Sequence, residues 1–346
     1  MQSSVSPLQP CLHPIYARLL CAALCQHGFS EAQVMEGTGL DWAHLHSDNR
    51  RLSFAQVQRL VRRAVQLTEC PWLGLETGCA TQVYAHGPVG YAAVACADLR
   101  GVLQVVERFS VLRLSSLRLT GHQVGERYCL SADEDFDLGD VREYILSTLA
   151  GTFLRLLEMV CGPLPSGAVQ FDFPFAEPAW SARYRELLGG AVTFSADCYR
   201  VSLPLAWLER PSLSADASAA RLALRDCEHL LLGAEQGGDW TSRVQLRLLA
   251  CEERYPTLEQ LAEEFHLSER TLIRRLRDEG TTYQQLLDEV RQELACWLLL
   301  NTPLSVERVA ERLGYQDSSN FSRTFRRWLG MTPNAWRSGS AEVLRP

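Results

Sequence analysis

Two short segments near the carboxyl end of the chain carry arginines at helical spacing, each close behind small polar residues. Seven arginines lie in these segments: Arg270, Arg274, Arg275, Arg277, Arg323, Arg326 and Arg327. A guanidinium can bond in bidentate fashion to O6 and N7 of guanine, an asparagine to adenine, and a serine to several base edges. Arginines beside them can contact phosphates, which position a protein on the duplex without reading its sequence. These residue types predict a surface that recognises double-stranded DNA.

Each segment is the second helix of a unit that consists of a helix, a tight turn and another helix. The first unit has helices predicted over 258–265 and 269–279, and the second over 306–313 and 318–328. The residues expected to cap the first three of these helices are Thr257, Ser268 and Ser305. This is the helix-turn-helix pattern, and it occurs twice. One such pattern is common among helical hairpins, whereas two joined by one helix are far more specific for DNA binding.

An amphipathic run over residues 283–300 joins the two units. A helix of this length is about 27 Å long, and successive major grooves on one face of B-DNA are about 34 Å apart. Six apolar residues would anchor the helix to both units: Leu286, Leu287, Val290, Leu294, Trp297 and Leu298. A rigid helix of this length would therefore hold two recognition helices near the separation of adjacent grooves.

The charge is polarised rather than basic. The chain has a formal net charge of −7 and contains arginine but no lysine, which fits either anion recognition or codon usage. Residues 238–340 contain 14 arginines and 15 acidic residues. The arginines concentrate on the second helix of each unit, whereas the acids lie mostly on the first helices and the joining helix. Affinity for DNA should therefore depend on a few arginines, with a modest salt dependence.

Each arginine also has a plainer interpretation, because an arginine on a helix is often solvated or paired with a carboxylate one turn away. Arg274 and Arg323 occupy equivalent places in the two units, which favours base contact for this pair. The arginines expected to meet phosphates are Arg275, Arg277, Arg326 and Arg327. The residues expected in the core are Leu313, Phe321, Phe325 and Trp328.

The chain before residue 232 mixes helices and strands. Helical periodicity is present over 12–25, 53–67, 99–109 and 141–161. Alternating apolar residues predict two strands around a turn at Thr120-Gly121-His122, and further strands over 169–173 and 199–203. We therefore predict an α+β domain over 1–232, a glycine-rich linker over 233–239, and an all-α domain over 240–338 with two helix-turn-helix motifs joined by a long helix.

A second candidate site surrounds the glycine turn 87–90. Tyr84, His86 and Tyr91 lie around this turn and could line a pocket for an effector, although packing in the core is the commoner explanation of such residues. The turn lacks the flanking strand and the glycine count of a nucleotide-binding loop. It is therefore read as a tight turn or a close approach of the backbone.

Metal and redox sites have weaker support. Cys21 and Cys25, or His44 and His46, have the spacing of metal ligands, but no second pair stands at zinc-site spacing. The thiols that could sense oxidation are Cys79, Cys96 and Cys129, and nothing around them indicates a lowered pKa. We therefore predict no metal and no cofactor.

Composition is that of an ordinary globular protein. The 346 residues are 47% hydrophobic and 22% charged, and the chain is long enough for two domains. No run of about 18 uncharged apolar residues predicts a membrane span, and the polar first ten residues lack a secretory signal. The twelve cysteines are scattered in apolar surroundings, as expected of buried reduced thiols. These features predict a cytoplasmic protein that does not bind a membrane.

Residues 314–337 resemble the signature of the AraC/XylS family of transcription regulators, from Gly-Tyr-Gln-Asp-Ser-Ser-Asn-Phe-Ser-Arg through Met-Thr-Pro to Trp336 and Arg337. Residues 258–280, with Leu-Ser-Glu-Arg-Thr-Leu, are similar to the family's first helix-turn-helix. The resemblance covers about 100 residues. Short stretches near 87–92, 171–174 and 208–211 resemble the arabinose-binding-like N-terminal domain of one branch, which includes regulators of ornithine utilisation.

The resemblance implies which residues face the DNA groove. In the first unit they are Arg270, Thr271 and Arg274. In the second unit they are Ser318, Ser319, Asn320, Ser322 and Arg323. The resemblance also implies a homodimer that binds promoter DNA, contacts RNA polymerase, and usually activates transcription when a small-molecule effector binds the N-terminal domain.

Two other classes of function compete with a transcription regulator. One is an enzyme or an alkyl-accepting repair regulator fused to a DNA-binding module, but the cysteine motif of such repair proteins is missing, as is any pairing of a nucleophile with a base. The other is a DNA binder that needs no effector, which would leave about 230 residues without a purpose. We therefore predict a regulator that is not an enzyme.

Overall fold

The computed structural model describes residues 8–42, 45, 51–235, 239–251 and 255–343. Its residues group into two compact units. The first, called here the N-terminal unit, contains Cys11–Val34 and Val61–Leu232; the second, the C-terminal unit, contains Met35–Leu60 and Gly233–Pro346. The C-terminal unit therefore includes a segment from early in the chain as well as the predicted helix-turn-helix region.

The elements up to residue 235 mix α and β structure, as predicted. The strands are β1 (Pro10–Leu12), β2 (Leu52–Ser53), β3 (Leu117–Val124), β4 (Arg127–Glu134), β5 (Gln170–Asp172), β6 (Ala191–Thr193) and β7 (Tyr199–Pro204). The helices are α1 (Pro14–Gln26), α2 (Glu31–Met35), α3 (Phe54–Thr68), α4 (Leu73–Ala80), α5 (Pro88–Ala95), α6 (Leu99–Phe109), α7 (Arg142–Cys161), α8 (Ser181–Leu188) and α9 (Ala217–Glu235). Helix α9 runs on into the stretch predicted as a linker.

A five-stranded sheet in the order β3-β4-β7-β5-β6 forms the framework of the N-terminal unit. The strands pair antiparallel, except that β5 and β6 are parallel. Strand β6 was not predicted, because three residues with an exposed, intermediate and exposed pattern give too short a signal. One face of the sheet packs into an aromatic cluster, in which Phe173 contacts Tyr184 and Tyr199 edge to face.

The predicted turn of the β3–β4 hairpin is wrong. The turn lies at Gly125, whose φ of 56° suits glycine, and not at Thr120-Gly121-His122. Gly121 lies within β3, where a Cβ would overlap the side chains of Glu107 and Tyr128, which hydrogen-bond to each other above it. This glycine therefore marks a close approach across the sheet rather than a bend in the chain.

The helix α7 is the most apolar long helix of the described part of the chain. With the turn before it, Gly139–Cys161 has the length and composition to cross a membrane, although the sequence alone predicted no such span. Just over half of its most apolar stretch is buried within the protein, with Leu146, Ala150 and Leu157 wholly buried. It packs on α4 as a core helix of the unit, which accounts for its apolar composition without a membrane.

The C-terminal unit is helical after residue 239. Its helices are α10 (Trp240–Leu249), α11 (Leu258–Glu264), α12 (Glu269–Asp278), α13 (Tyr283–Asn301), α14 (Val306–Arg312), α15 (Ser318–Leu329) and α16 (Pro333–Val343). The two predicted helix-turn-helix motifs are confirmed as α11–α12 and α14–α15. The long helix α13 joins them.

Two separate hydrophobic cores share α13. Its first half contributes Leu286, Leu287 and Val290 to a core with α10, α11 and α12. Its second half contributes a group centred on Cys296 and Leu299 to a core with α14, α15 and α16. The prediction that α13 anchors both helix-turn-helix motifs is confirmed, because this one helix contributes residues to both cores.

Candidate DNA-binding interface

The recognition helix of the first helix-turn-helix motif, α12, is fixed by a cap and a tight turn. Ser268 Oγ accepts a hydrogen bond from the amide of Thr271 at 3.3 Å, and the amide of Leu267 donates to the carbonyl of Ala262 at 2.8 Å. His266 takes the left-handed conformation between the two helices, with φ of 54°. Buried Leu272 and Leu276 then direct the opposite surface of α12 outward.

The second recognition helix, α15, repeats this construction. Asp317 Oδ1 accepts from the amide of Asn320 at 2.6 Å, and the amide of Tyr315 donates to the carbonyl of Ala310 at 3.0 Å. Gly314, with φ of 77°, occupies the position in the second motif that His266 occupies in the first. The sequence signals the second turn through this glycine, whereas a histidine gives no such signal at the first.

The outward surfaces carry most of the residues predicted to face DNA. The exposed residues are Arg270, Arg274, Arg277, Ser319, Asn320, Arg323, Arg326 and Arg327. The half-buried residues are Thr271, Arg275, Ser318 and Ser322. Within the described ranges no carboxylate forms an ion pair with Arg274 or Arg323. The two equivalent arginines therefore present free guanidinium groups.

Arg275 is held differently from the other predicted phosphate contacts. Its guanidinium lies 4.3 Å from the ring centroid of Trp240, and Arg243 lies 4.0 Å from the same ring. Stacking of this kind orders an arginine and favours a fixed position over a mobile one. The contact comes from α10, which the sequence predicted only as unspecified helix.

Helix α10 is attached to the end of the recognition helix by one carboxylate. Glu279 accepts hydrogen bonds from the amides of Trp240 and Thr241 and from the Thr241 hydroxyl, at 2.8–3.0 Å. A carboxylate at a helix N-terminus satisfies free amides and favours the helix dipole. Sequence reasoning missed this role, since Glu279 lies 38 residues away from Thr241.

The middle of α13 contacts aromatic residues beside both cores through Arg291. Its guanidinium lies 5.1 Å from the ring centroid of Tyr255, which packs on the first core, and 5.3 Å from that of Tyr315, which packs on the second. A planar guanidinium between two rings is a directional contact. Arg291 therefore links the two cores at the centre of the joining helix.

The residues predicted for an effector site lie in the N-terminal unit, Tyr84 and His86 at the turn before α5 and Tyr91 on α5 itself. His86 Nδ1 and the Tyr16 hydroxyl form a hydrogen bond of 2.6 Å, while His86 Nε2 is buried and has no partner among the residues that the structure describes. Tyr84 and Tyr91 expose 64% and 56% of their surface, so core packing does not explain them. Arg113 reaches the same turn and donates to the carbonyl of Ala85 at 2.8 Å.

Burial controls the ionisation of this cluster. Desolvation, followed by the charge of Arg113, lowers the pKa of His86 to about 4. Burial also raises the pKa of Tyr16, although Arg113 opposes that shift. His86 is therefore neutral at neutral pH, and Arg113 is the charged member of the cluster.

The three thiols considered as oxidation sensors, Cys79, Cys96 and Cys129, are not activated. All twelve cysteines are free, and burial raises the pKa of Cys79 to about 11 and raises those of Cys96 and Cys129 as well. A thiol with a raised pKa carries little thiolate and reacts slowly with oxidants. Within the described residues no group of three or more metal-ligating side chains assembles; His44 and His46 lie outside those residues.

Two capped helix-turn-helix motifs on one helix, with unpaired arginines on both recognition helices, define a DNA-binding transcription regulator. A model described as the arabinose-binding domain of AraC transcription regulators matches residues 28–212, and a helix-turn-helix domain model matches 261–339. The chain belongs to the AraC family of transcription regulators, as the sequence predicted.

Known relatives are similar over nearly the whole chain. The Ornithine utilization regulator of Pseudomonas aeruginosa is 35% identical over 93% of this chain and 95% of its own length. An HTH-type transcriptional regulator of Mycobacterium tuberculosis is 30% identical over 94% of this chain and 96% of its own. The crystal structure of the regulator CdpR from Pseudomonas aeruginosa has a TM-score of 0.49 and 25% identity, over 94% of this chain and 98% of that one. The relatives and both domain matches are regulators rather than enzymes.

Proposed function

We propose that the chain binds promoter DNA through both recognition helices, with α12 and α15 in adjacent major grooves. The observation that carries this proposal is the pair of equivalent, unpaired arginines, Arg274 and Arg323, on two capped helices of one rigid framework. Helix α13 has 19 residues and is about 28 Å long. This length is close to the groove separation of about 34 Å.

The residues divide by role. Arg270, Thr271 and Arg274 read bases in one groove, and Ser318, Ser319, Asn320, Ser322 and Arg323 read bases in the other. Arg277, Arg326 and Arg327 contact phosphates. Arg275 does so as well, from its stacked position on Trp240.

Binding to a duplex selected by the full chain from a random library tests this assignment. Arg274→Ala or Arg323→Ala should each lose preference at one base position, at a cost of about 1–3 kcal/mol. Arg326→Ala should weaken binding to all sequences alike and lower the salt slope by about one. Arg308→Ala is the matched control, because Arg308 is an exposed arginine paired with Glu311 on the helix before the recognition helix. Equal losses for all four variants would contradict the assignment.

We further propose that a small molecule bound at Tyr84, His86 and Tyr91 regulates this activity. Among the described residues no carboxylate pairs with the half-buried Arg113, and His86 Nε2 has no partner. A ligand carboxylate would supply the missing countercharge, and the exposed tyrosine rings would cover its apolar part. The regulator that shares 35% identity is named for ornithine utilisation, so L-ornithine is the first compound to test.

Thermal melting of the full chain against amino acids, polyamines, fatty acids, sphingoid bases and aromatic acids tests this proposal. A ligand at 100 times its Kd stabilises the folded protein by about 2.7 kcal/mol, which raises the melting temperature by several degrees. Tyr84→Ala with Tyr91→Ala should abolish the rise without lowering the melting temperature of the free protein, since both rings are exposed. Val124→Ala, at a similarly exposed residue, is the control. A rise that survives the tyrosine variant would place the ligand elsewhere.

The mechanism we propose is a shift of population. Effector binding favours the conformation or dimer arrangement in which both motifs reach DNA. In this proposal the chain acts in the cytoplasm as a homodimer and activates transcription through RNA polymerase. A reporter gene behind the selected sequence, measured with and without the ligand, would show activation, repression or no effect.

A further inference from the structure

A segment from early in the chain holds the middle of the helix that carries both DNA-binding motifs. Residues 35–60 belong to the C-terminal unit, together with α10 to α16. Arg59, on α3, forms an ion pair with Glu293, on α13, at 2.8 Å, and both side chains are at least nine-tenths buried. The two residues are 234 positions apart in sequence.

Further hydrogen bonds support the ion pair. Arg59 bonds Glu293 through both terminal nitrogens and donates its Nε–H to the carbonyl of buried Thr38 at 2.6 Å. Ser53 Oγ donates to Glu293 at 2.9 Å, so the carboxylate accepts three hydrogen bonds. A buried bidentate pair of this kind contributes fixed geometry more than stability, because desolvation offsets most of its attraction.

The segment contacts α13 at neighbouring positions as well. Gln292 donates to the carbonyl of Gly39 at 3.3 Å. Gly39 also lies near Leu329, at the end of the second recognition helix, because a Cβ on Gly39 would lie 3.7 Å from that side chain. The contacts therefore involve both the joining helix and one of the helices that it positions.

Glu293 lies on α13 between the part that packs in the first core and the part that packs in the second. Arg291, two residues earlier, is the side chain stacked between Tyr255 and Tyr315. A directional bond at Glu293 therefore fixes the rotation of α13, and with it the angle and separation of α12 and α15.

We propose that Arg59 and Ser53 are positioning residues for DNA recognition, which set the spacing between the two subsites that the chain reads. Neither residue needs to touch DNA. The inference rests on the proposed docking of both motifs in adjacent grooves. It makes residues 35–60 part of the DNA-binding machinery, although they precede the helix-turn-helix region by about 200 residues in sequence.

The test uses the full chain and a duplex that it selects from a random library. Binding is also measured to duplexes with one base pair added or removed between the two subsites. A further set of duplexes has one subsite scrambled. Arg59→Met with Glu293→Leu replaces the ion pair by apolar side chains, which folded proteins often tolerate. The control is Arg62→Met with Asp140→Leu. Arg62 lies on the same helix and forms a similar bidentate pair, but both control residues belong to the N-terminal unit.

The Arg59/Glu293 variant should bind the selected duplex about tenfold more weakly and should lose discrimination among the three spacings. Its binding to each single subsite should match that of the wild-type chain, and the control should behave as wild type throughout. Unchanged spacing discrimination in a folded variant would overturn the proposal. If the wild-type chain binds a duplex with one subsite scrambled as tightly as the intact duplex, the proposed docking itself fails, and the two failures are distinguished.

Milder variants keep the proposal testable if the double variant does not fold. Arg59→Lys retains the charge but cannot form the bidentate pair, and Ser53→Ala removes one of the three bonds to Glu293. Each should reduce spacing discrimination partly, with Arg59→Lys the larger effect. Wild-type spacing discrimination in both would overturn the proposal.

Discussion

His86 should make the stability of the N-terminal unit depend on pH. Its imidazole is held neutral, because burial and the charge of Arg113 lower its pKa from 6.5 to about 4. In the unfolded chain the same group titrates near 6.5. Between these two values the unfolded state binds a proton that the folded state does not, so acid favours unfolding.

The size of the effect follows from the two pKa values. A difference of 2.5 units corresponds to about 3 kcal/mol when the full range is crossed. Between pH 7 and pH 5 about 2 kcal/mol of this is lost. The stability is fully present above pH 6.5 and disappears as the pH falls through about 4.

The perturbation that isolates this contribution is His86→Asn, which keeps an acceptor near the Nδ1 position for the Tyr16 hydroxyl but removes the titrating ring. Urea unfolding of both proteins at pH 7 and pH 5, followed by tryptophan fluorescence and by circular dichroism, gives the free energy of unfolding at each pH. His122→Asn, which replaces an exposed histidine on β3, is the control.

The wild-type chain and the control should lose about 2 kcal/mol more than His86→Asn over this range. Titration of the histidine ring protons by NMR should also show one resonance with a pKa near 4 that is missing from the variant. Two results would refute this reasoning: equal losses of stability in all three proteins, or a His86 resonance that titrates near 6.5. Either would mean that burial and Arg113 do not hold His86 neutral.

Three further predictions concern the stability of the folded chain. Gly121→Ala should destabilise the N-terminal unit by about 1–3 kcal/mol, measured by urea unfolding, because a Cβ would displace the hydrogen-bonded pair of Glu107 and Tyr128; an unchanged midpoint would contradict this. Asp317→Ala should cost about 1 kcal/mol through loss of the cap on the second recognition helix, with Asp317→Asn as the conservative control. Gly314→Ala should cost about 1–2 kcal/mol because of its left-handed conformation alone, since a Cβ there meets only ordinary contacts; a loss above this would indicate a clash not visible in the structure.

The helices after residue 239 could be predicted closely from sequence because their signals are local. Each recognition helix begins at a polar cap and presents apolar residues at a spacing that only one face can bury. Phe321 and Phe325 are wholly buried, as expected, and α13 enters both cores through the residues proposed for it. The start of α12 was predicted from its cap, Ser268, whereas the left-handed conformation of His266 was not, since a histidine signals such a turn less clearly than a glycine does.

The contacts that fix the interface could not be predicted, because they join residues far apart in the chain. Glu279 caps α10, and Glu293 pairs with Arg59, but the sequence predicted neither contact. In the N-terminal unit, Gly121 was read as a turn because glycine permits both a bend and a close approach. Only the neighbouring Tyr128 and Glu107 decide between the two.

The central claim is that one chain reads two adjacent major grooves with two recognition helices. Protection of guanine N7 from methylation, measured on the selected duplex with the full chain bound, tests it most directly. Binding of α12 and α15 in adjacent grooves predicts two clusters of protected guanines about 10 base pairs apart. One cluster should be lost in Arg274→Ala and the other in Arg323→Ala. A single cluster, or two clusters that both disappear with the same arginine, would contradict it.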